Sequence, residues 1–189
     1  NPGLHKNVAL FDFSAMYPTI YRTFNISPDT LSDKGEVLIN SIYFTLKKEG
    51  LIPTLFKELQ QEIKKVEIER DKCAPGSLEY DIQHNFRGAI KTIMNSMFGA
   101  MSYQNFRFYN PIIAETITYI GRELILFCKK KFNEIEYDII YGDTDSIFIQ
   151  LKTLDYEIEI LFLEKYINSK LIEFIQLFSA QITQNYLRI

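Results

Sequence analysis

Tyr141-Gly142-Asp143-Thr144-Asp145-Ser146 lies between two short apolar runs, residues 138–141 and 146–151, and reads as the turn of a β-hairpin. It carries two carboxylates one residue apart, and neither has a neutralising neighbour in sequence. A fold keeps such a pair when something offsets the repulsion, and a divalent cation does so best. A third carboxylate, Asp12, ends another apolar strand-like run, Val8-Ala9-Leu10-Phe11. Three acidic oxygen donors at strand ends suit Mg²⁺, which takes a few carboxylates together with phosphate oxygens. The combination points to phosphoryl or nucleotidyl transfer with two metal ions.

Working outward, a strand is expected over 8–13 and a short helix over 15–23, with Pro18 tolerated in its first turn. Residues 25–40 read as a loop that turns near Asp33-Lys34-Gly35, and 41–47 as a strand. After Gly50, Pro53 opens a helical stretch over 54–72 with Leu55, Leu59, Ile63 and Val66 on one face. Cys73-Ala74-Pro75-Gly76-Ser77 breaks it. A second helix is expected over 78–101, with Ile82, Phe86, Ile90, Ile93 and Met97 as its apolar stripe. So short a link makes the two helices an antiparallel hairpin. Gln104-Asn105-Phe106-Arg107-Phe108-Tyr109 reads as loop or extended chain. A third helix starts at Pro111 and runs to 132, and a last one spans 156–186. The fold class is α+β: one mixed or antiparallel sheet with packed helices, and an inserted helical arm.

A chain of 189 residues suits one domain or two closely joined subdomains. With 15 Phe and 12 Tyr it can bury a sizeable core. No apolar run approaches the roughly 20 residues that span a bilayer, so no membrane partner is expected. The chain opens Asn1-Pro2-Gly3-Leu4, without Met and without a signal peptide, as expected of a processed chain or a piece of a longer one. Cys73 and Cys128 stand in no metal-ligand spacing, and an intracellular, reducing setting is expected. The net charge of −3 does not by itself favour nucleic acid. A local basic groove would have to come from Lys91, Arg107, Arg122 and Lys129-Lys130-Lys131.

Three motifs follow one another: Asp12-Phe13-Ser14-Ala15-Met16-Tyr17-Pro18, then Lys91-Thr92-Ile93-Met94-Asn95-Ser96-Met97-Phe98-Gly99, then Tyr141 to Ser146. In this order they resemble motifs A, B and C of family B DNA-dependent DNA polymerases. The connecting text is similar too, in Gly50-Leu51-Ile52-Pro53, in Arg107-Phe108-Tyr109 and in Gly121-Arg122. The resemblance covers about residues 3 to 150. It implies a palm over 1–50 and 102–189, carrying motifs A and C, and a fingers hairpin over 51–101 carrying motif B.

The resemblance also implies roles. Asp12 and Asp145 would bridge two Mg²⁺ ions, with the Phe13 carbonyl completing one coordination sphere and Asp143 as a supporting acid. Ser14, Ala15 and Met16 would offer backbone N–H groups to the triphosphate at a helix start. Tyr17 would exclude a 2′-hydroxyl. Lys91 would meet the triphosphate as a point charge, with Asn95 one turn on. Phe98 stands where relatives have Tyr, and Gly99 would let the backbone approach the base pair. Relatives carry an Arg and, four residues on, a Lys in the first fingers helix. Counted from Pro53, those places hold Ile63 and Glu67; counted back from Lys91, the frame shifts by one and offers Lys64, the candidate retained here. Primer–template DNA and a deoxynucleoside triphosphate are the implied partners, in template-directed DNA synthesis. The exonuclease and thumb segments of the family do not fit in this length, so a palm-and-fingers piece of a larger or split polymerase is expected.

Two rivals remain. An inactive structural module of a replication assembly is favoured by Ile63 and Glu67, and disfavoured by the intact Asp12, Asp143 and Asp145. A metal-dependent glycosyltransferase would use Asp143 and Asp145 but leaves Tyr17 and residues 91–99 without a task.

Overall fold

The computed structural model describes residues 3–189; Asn1 and Pro2, the start of the first expected segment, lie outside them. In chain order the elements are β1 (Val8–Asp12), α1 (Met16–Thr23), β2 (Leu31–Ser32), β3 (Val37–Ile39), β4 (Ile42–Phe44), α2 (Leu51–Asp71), α3 (Leu78–Ser102), α4 (Pro111–Glu134), β5 (Ile139–Asp143), β6 (Ser146–Gln150) and α5 (Tyr156–Gln176). The result is α+β, with packed helices and two antiparallel three-stranded sheets.

The first sheet has the order β1-β6-β5, and strand alternation gives it two unlike faces. Ala9 and Phe11 on β1 pair with Ile149 and Ile147 on β6, and all four are buried. Beneath them lies α4, whose Leu124, Cys128 and Phe132 are fully buried, with Phe11 and Phe132 rings 6.1 Å apart. The opposite face is open. Leu10, Phe148 and Tyr141 form one row across it, and Asp12, Ser146 and Asp143 the next. The period of two therefore buries the apolar set and leaves both acids on the same exposed row.

Residues 25–40, expected as a loop, hold more order than that. A 3₁₀ turn, Pro28–Thr30, leads into a second sheet of order β2-β4-β3. Its hairpin turns at Asn40 and Ser41, both left-handed at φ 45° and 69°. Asn tolerates that region, and adjacent positive φ values are what a two-residue hairpin needs. Its central strand β4 lies within the 41–47 stretch expected as a strand, whereas β2 and β3, of two and three residues, carry too little alternation to be read from sequence.

The helical hairpin formed as expected, with α2 starting three residues early, after Gly50 as N-cap. A Cβ on Gly50 would stand 2.7 Å from Ser27 Cβ and 2.9 Å from Thr30 Cγ2, so only glycine fits. The Asn25 side chain fastens the same corner: its amide donates to Thr45 O and Lys48 O, and its oxygen accepts from Gly50 N, each at 2.8 Å. Ser77 caps α3 by accepting from Tyr80 N. The expected apolar stripe of α3 is only partly covered. Ile90 is buried, yet Ile82, Phe86 and Ile93 are each at least half exposed. Among the described residues α2 is the main packing partner of α3, and these side chains lie on the side left to solvent.

The last helix ends at Gln176 rather than near Tyr186. Phe178 turns inward to meet Phe24 and Phe174, both at 5.3 Å. The tail then folds back to bury Ile182 and Leu187. Asn168 holds it by accepting from Ile189 N and donating to Ile189 O, both at 3.2 Å. Among the described residues no helix is long and apolar enough to cross a membrane.

Glu159, in the first turn of α5, is buried and secures the exit of β6. Burial opposes its charge. Four donors outweigh that: the N–H of Lys152, the Thr153 hydroxyl, the Tyr137 hydroxyl and the N–H of Thr153, at 2.7 to 2.9 Å. They hold its pKa down, from 4.5 to about 2. A depressed carboxylate stabilises the fold above its unfolded value and loses that contribution as pH falls through the folded one. The shift corresponds to about 3 kcal/mol. Glu159→Gln should therefore cost about 3 kcal/mol in urea unfolding at pH 7 and flatten the loss of stability between pH 4.5 and about 2.

Candidate active site

Asp12 and Asp143 both pair with Ser146, one from each side, so their strands lie two spacings apart, roughly 9–10 Å. Asp145 closes the gap from the hairpin turn. Its carbonyl accepts from Phe13 N at 2.8 Å, which ties the turn to the end of β1. Thr144, between the two hairpin acids, has φ +29°, an uncommon value for a β-branched residue, and this bend lets Asp145 leave the strand row. Asp12 and Asp145 line one cavity of about 360 Å³ together with Phe13, Met16 and Tyr17. Partial desolvation first, and the Asp145 carboxylate second, push the Asp12 pKa up.

Asp143 is exposed, does not line this cavity, and accepts from its neighbour Thr144 at 3.1 Å. Among the described residues no three His, Cys, Asp or Glu side chains form a ready metal cage. What the fold assembles is a pair of carboxylates lining one cavity. That donor set fits Mg²⁺, which keeps water and substrate phosphate for its other positions and needs only one or two carboxylates.

The turn after β1 departs from the expected helix start. Ala15 is left-handed at φ 48°, ψ 55°, and the helix begins at Met16. Of the three N–H groups expected to face a ligand, Ser14's is taken: it donates to Arg188 O of the returning tail at 3.0 Å. Those of Ala15 and Met16 lie at the helix start, where N–H groups have no intrahelical acceptor. Tyr17 is wedged between Phe98, ring centroids 4.5 Å apart, and Gly121, where a Cβ would come within 3.5 Å of its Cε1. Burial first and Asp145 second raise the Tyr17 pKa, so its ring belongs to the same electrostatic environment as the acids. Gly99 has open space: a Cβ there would meet nothing within 4 Å, so the chain's own packing does not demand glycine.

A second cavity, of about 310 Å³, adjoins the first; Ala15 and Asn95 line both. Ser14 lines it from the β1–α1 turn and Lys91 from α3. From α2 it takes Gln60, Ile63 and Glu67. Lys64 is exposed and lines neither cavity. The reason is helical phase: 60, 63 and 67 share a face at i, i+3 and i+7, and one residue further turns about 100° away. Lys65 points elsewhere too, onto Glu62 at 2.9 Å. Of the other expected basic residues, Lys131 is consumed by Glu134 and Glu173.

Two lining residues escaped the sequence reading. Arg87 lies one turn before Lys91 and bonds Glu67 across the hairpin, Nε to Oε1, at 2.5 Å. Gln60 accepts at Oε1 from Arg22. The spacing of Arg87, Lys91 and Asn95 at i, i+4 and i+8 was the available signal for the first. For Gln60 no comparable signal exists.

The family model described as DNA polymerase family B matches residues 1–187. DNA polymerase 2 of Aeropyrum pernix is 33% identical over 158 residues, 79% of this chain and 20% of that protein. A DNA polymerase of Pyrococcus glycovorans is 34% identical over 182 residues, 89% of this chain and 23% of that one. The solved family B DNA polymerase of Pyrobaculum calidifontis superposes with a TM-score of 0.73 at 29% identity, covering 98% of this chain and 24% of its own. The chain thus spans about a fifth to a quarter of these relatives' length.

Replacing one member of the carboxylate pair separates electrostatics from packing. Asp12→Asn should raise the melting temperature of the metal-free chain, because it removes a like-charge contact. It should also weaken Mn²⁺ binding, followed by electron paramagnetic resonance, by more than about tenfold, or ~1.4 kcal/mol. Lys64→Gln should leave Mn²⁺ binding unchanged.

Proposed function

The chain belongs to DNA polymerase family B, and on that premise we propose that it is the portion of such a polymerase that performs template-directed nucleotidyl transfer, from a deoxynucleoside triphosphate to a primer 3′-hydroxyl. The observation that carries this reading is the continuity of the two cavities: the carboxylate pair and Tyr17 open onto one, Lys91 onto the next, with Ala15 and Asn95 on the shared wall. A nucleotide laid across that wall has its sugar by Tyr17 and its phosphates between the α1 start and α3. In this reading the sheet domain is the palm, over 1–50 and 102–189, and the helical hairpin over 51–101 is the fingers.

Each residue has a physical task. Asp12 and Asp145, with the Phe13 carbonyl, would hold two Mg²⁺ ions, and Asp143 would stand behind them as an outer acid. Bound there, the ions supply a lowered pKa for the primer hydroxyl and neutralisation of the pyrophosphate leaving group. The N–H groups of Ala15 and Met16 donate to phosphate oxygens at the positive end of α1, beside Ser14. Lys91 adds a point charge, and Asn95 a neutral donor. Tyr17, braced by Phe98, fills the space a 2′-hydroxyl would need. Gly99 leaves room on α3 for a base pair. Primer–template DNA is the macromolecular partner, with exonuclease and thumb segments of the kind the family carries completing its grip, in an intracellular setting.

Primer extension with Mg²⁺, by this chain alone and with those segments added back, tests the proposal. Asp145→Ala should lower the rate by on the order of 10³, the several kcal/mol of charge stabilisation a metal supplies. Asp138→Ala, in the link just before β5 and lining neither cavity, should extend normally. Tyr17→Ala should admit ribonucleotides. Metal-dependent hydrolysis of a nucleotide-sugar without extension would point to the glycosyltransferase reading instead, and extension that survives Asp145→Ala would remove the proposal.

A further inference from the structure

The second cavity holds an ion pair beside Lys91. Arg87 and Glu67 both line it, from opposite arms of the hairpin, with side chains 26% and 34% exposed. Glu67 accepts from the Nε–H of Arg87 at 2.5 Å. That engages one edge of the guanidinium. Among the described residues no acceptor is bonded to its Nη groups, so up to four N–H donors remain. A simple hairpin staple would pair such a fork in bidentate fashion. Lys91 lies one helical turn along on the same wall, exposed and without a bonded partner among the described residues. Gln60 contributes to the same space. A guanidinium only donates, so its contact with Arg22 commits the Gln60 oxygen and leaves the amide N–H₂ as a further donor. The cavity thus presents two cations and the neutral polar groups of Ser14, Gln60 and Asn95 against a single carboxylate, and that carboxylate is already engaged.

We infer that Arg87 is a second cationic contact for the phosphates of the bound nucleotide, oriented by Glu67, so that the cationic grip on the phosphate tail comes from α3 through Arg87 and Lys91, while α2 adds only the neutral amide of Gln60. The inference rests on the proposed function, because it takes the second cavity as the phosphate end of the nucleotide site. The ligand chemistry is a polyphosphate. Glu67 is a positioning residue: it fixes the fork edge-on and does not itself touch the anion. It also lowers the net positive charge of the cavity, which opposes anion binding.

These two functions of Glu67 give the test its discriminating sign. Binding of inorganic tripolyphosphate and of a deoxynucleoside triphosphate, both with Mg²⁺, is measured by calorimetry on the 189-residue chain, with thermal unfolding run on each variant. Arg87→Gln should weaken both ligands about tenfold. Arg87→Lys should recover part of that, as a point charge without the fork. Glu67→Gln removes a negative charge and keeps an acceptor, so it should bind as tightly as the parent or more tightly while melting lower. A pair that merely staples the hairpin would give the same sign for both halves. Equal weakening by Arg87→Gln and Glu67→Gln, or parental binding by Arg87→Gln, therefore overturns the inference. Lys91→Gln separates this from the parent reading: if it weakens binding and Arg87→Gln does not, the inference alone falls. If neither variant changes binding, the assignment of this cavity to the nucleotide falls with it.

Discussion

Two carboxylates from distant parts of the chain open onto one cavity, and a backbone hydrogen bond from Phe13 N to Asp145 O at 2.8 Å ties together the segments that carry them. Everything else in the sheet domain keeps that contact in place although the charges oppose it. The register of β1 on β6 brings the end of one strand level with the start of the other. The buried face of the sheet resists slippage, since a shift by one residue would expose Phe11 and Ile147 and bury Leu10. Glu159 fixes where β6 leaves the sheet, and Arg188 O fixes the turn after β1 by accepting from Ser14 N. The raised Asp12 pKa is the cost of this arrangement. A cation held between the two carboxylates would recover that cost.

Strain is placed around the same point. Ala15 and Thr144 both have positive φ, and they flank the carboxylate pair from the two sides of the cavity. The first turns the chain so that α1 begins against the cavity wall. The second takes Asp145 out of the strand row and toward Asp12. Neither bend is what those residue types prefer, and each is over-determined by its surroundings: a sheet on one side, a buried helix on the other.

Much of this was legible in the sequence. The hairpin of β5 and β6, the strand β1 and the four long helices stood out because their apolar residues repeat at the strand or helix period. The pairing of Asp12 with Asp145 was legible through motif order, since spacing alone says nothing about two residues 133 positions apart. What escaped reading has physical causes. In the second sheet only β4 was readable, because β2 and β3 are too short to show a period. The end of α5 depends on Phe178 finding Phe24 across the fold, a contact that no local pattern encodes. On α2, one residue of helical phase separates Ile63 and Glu67, which face the cavity, from Lys64, which does not. Arg87 was readable in principle, one turn before Lys91, but its significance appears only when Glu67 is seen opposite it.

In the proposed function, Asp12 and Asp145 form the cation-binding end of a site whose other end takes phosphate. Crystals of the chain soaked with Mn²⁺ and a non-hydrolysable deoxynucleoside triphosphate, measured at the manganese absorption edge, test it directly. Anomalous density beside Asp12 and Asp145, with the phosphates running toward Lys91, is the predicted result. Manganese bound away from that pair, or a nucleotide seated outside the joined cavities, would contradict it.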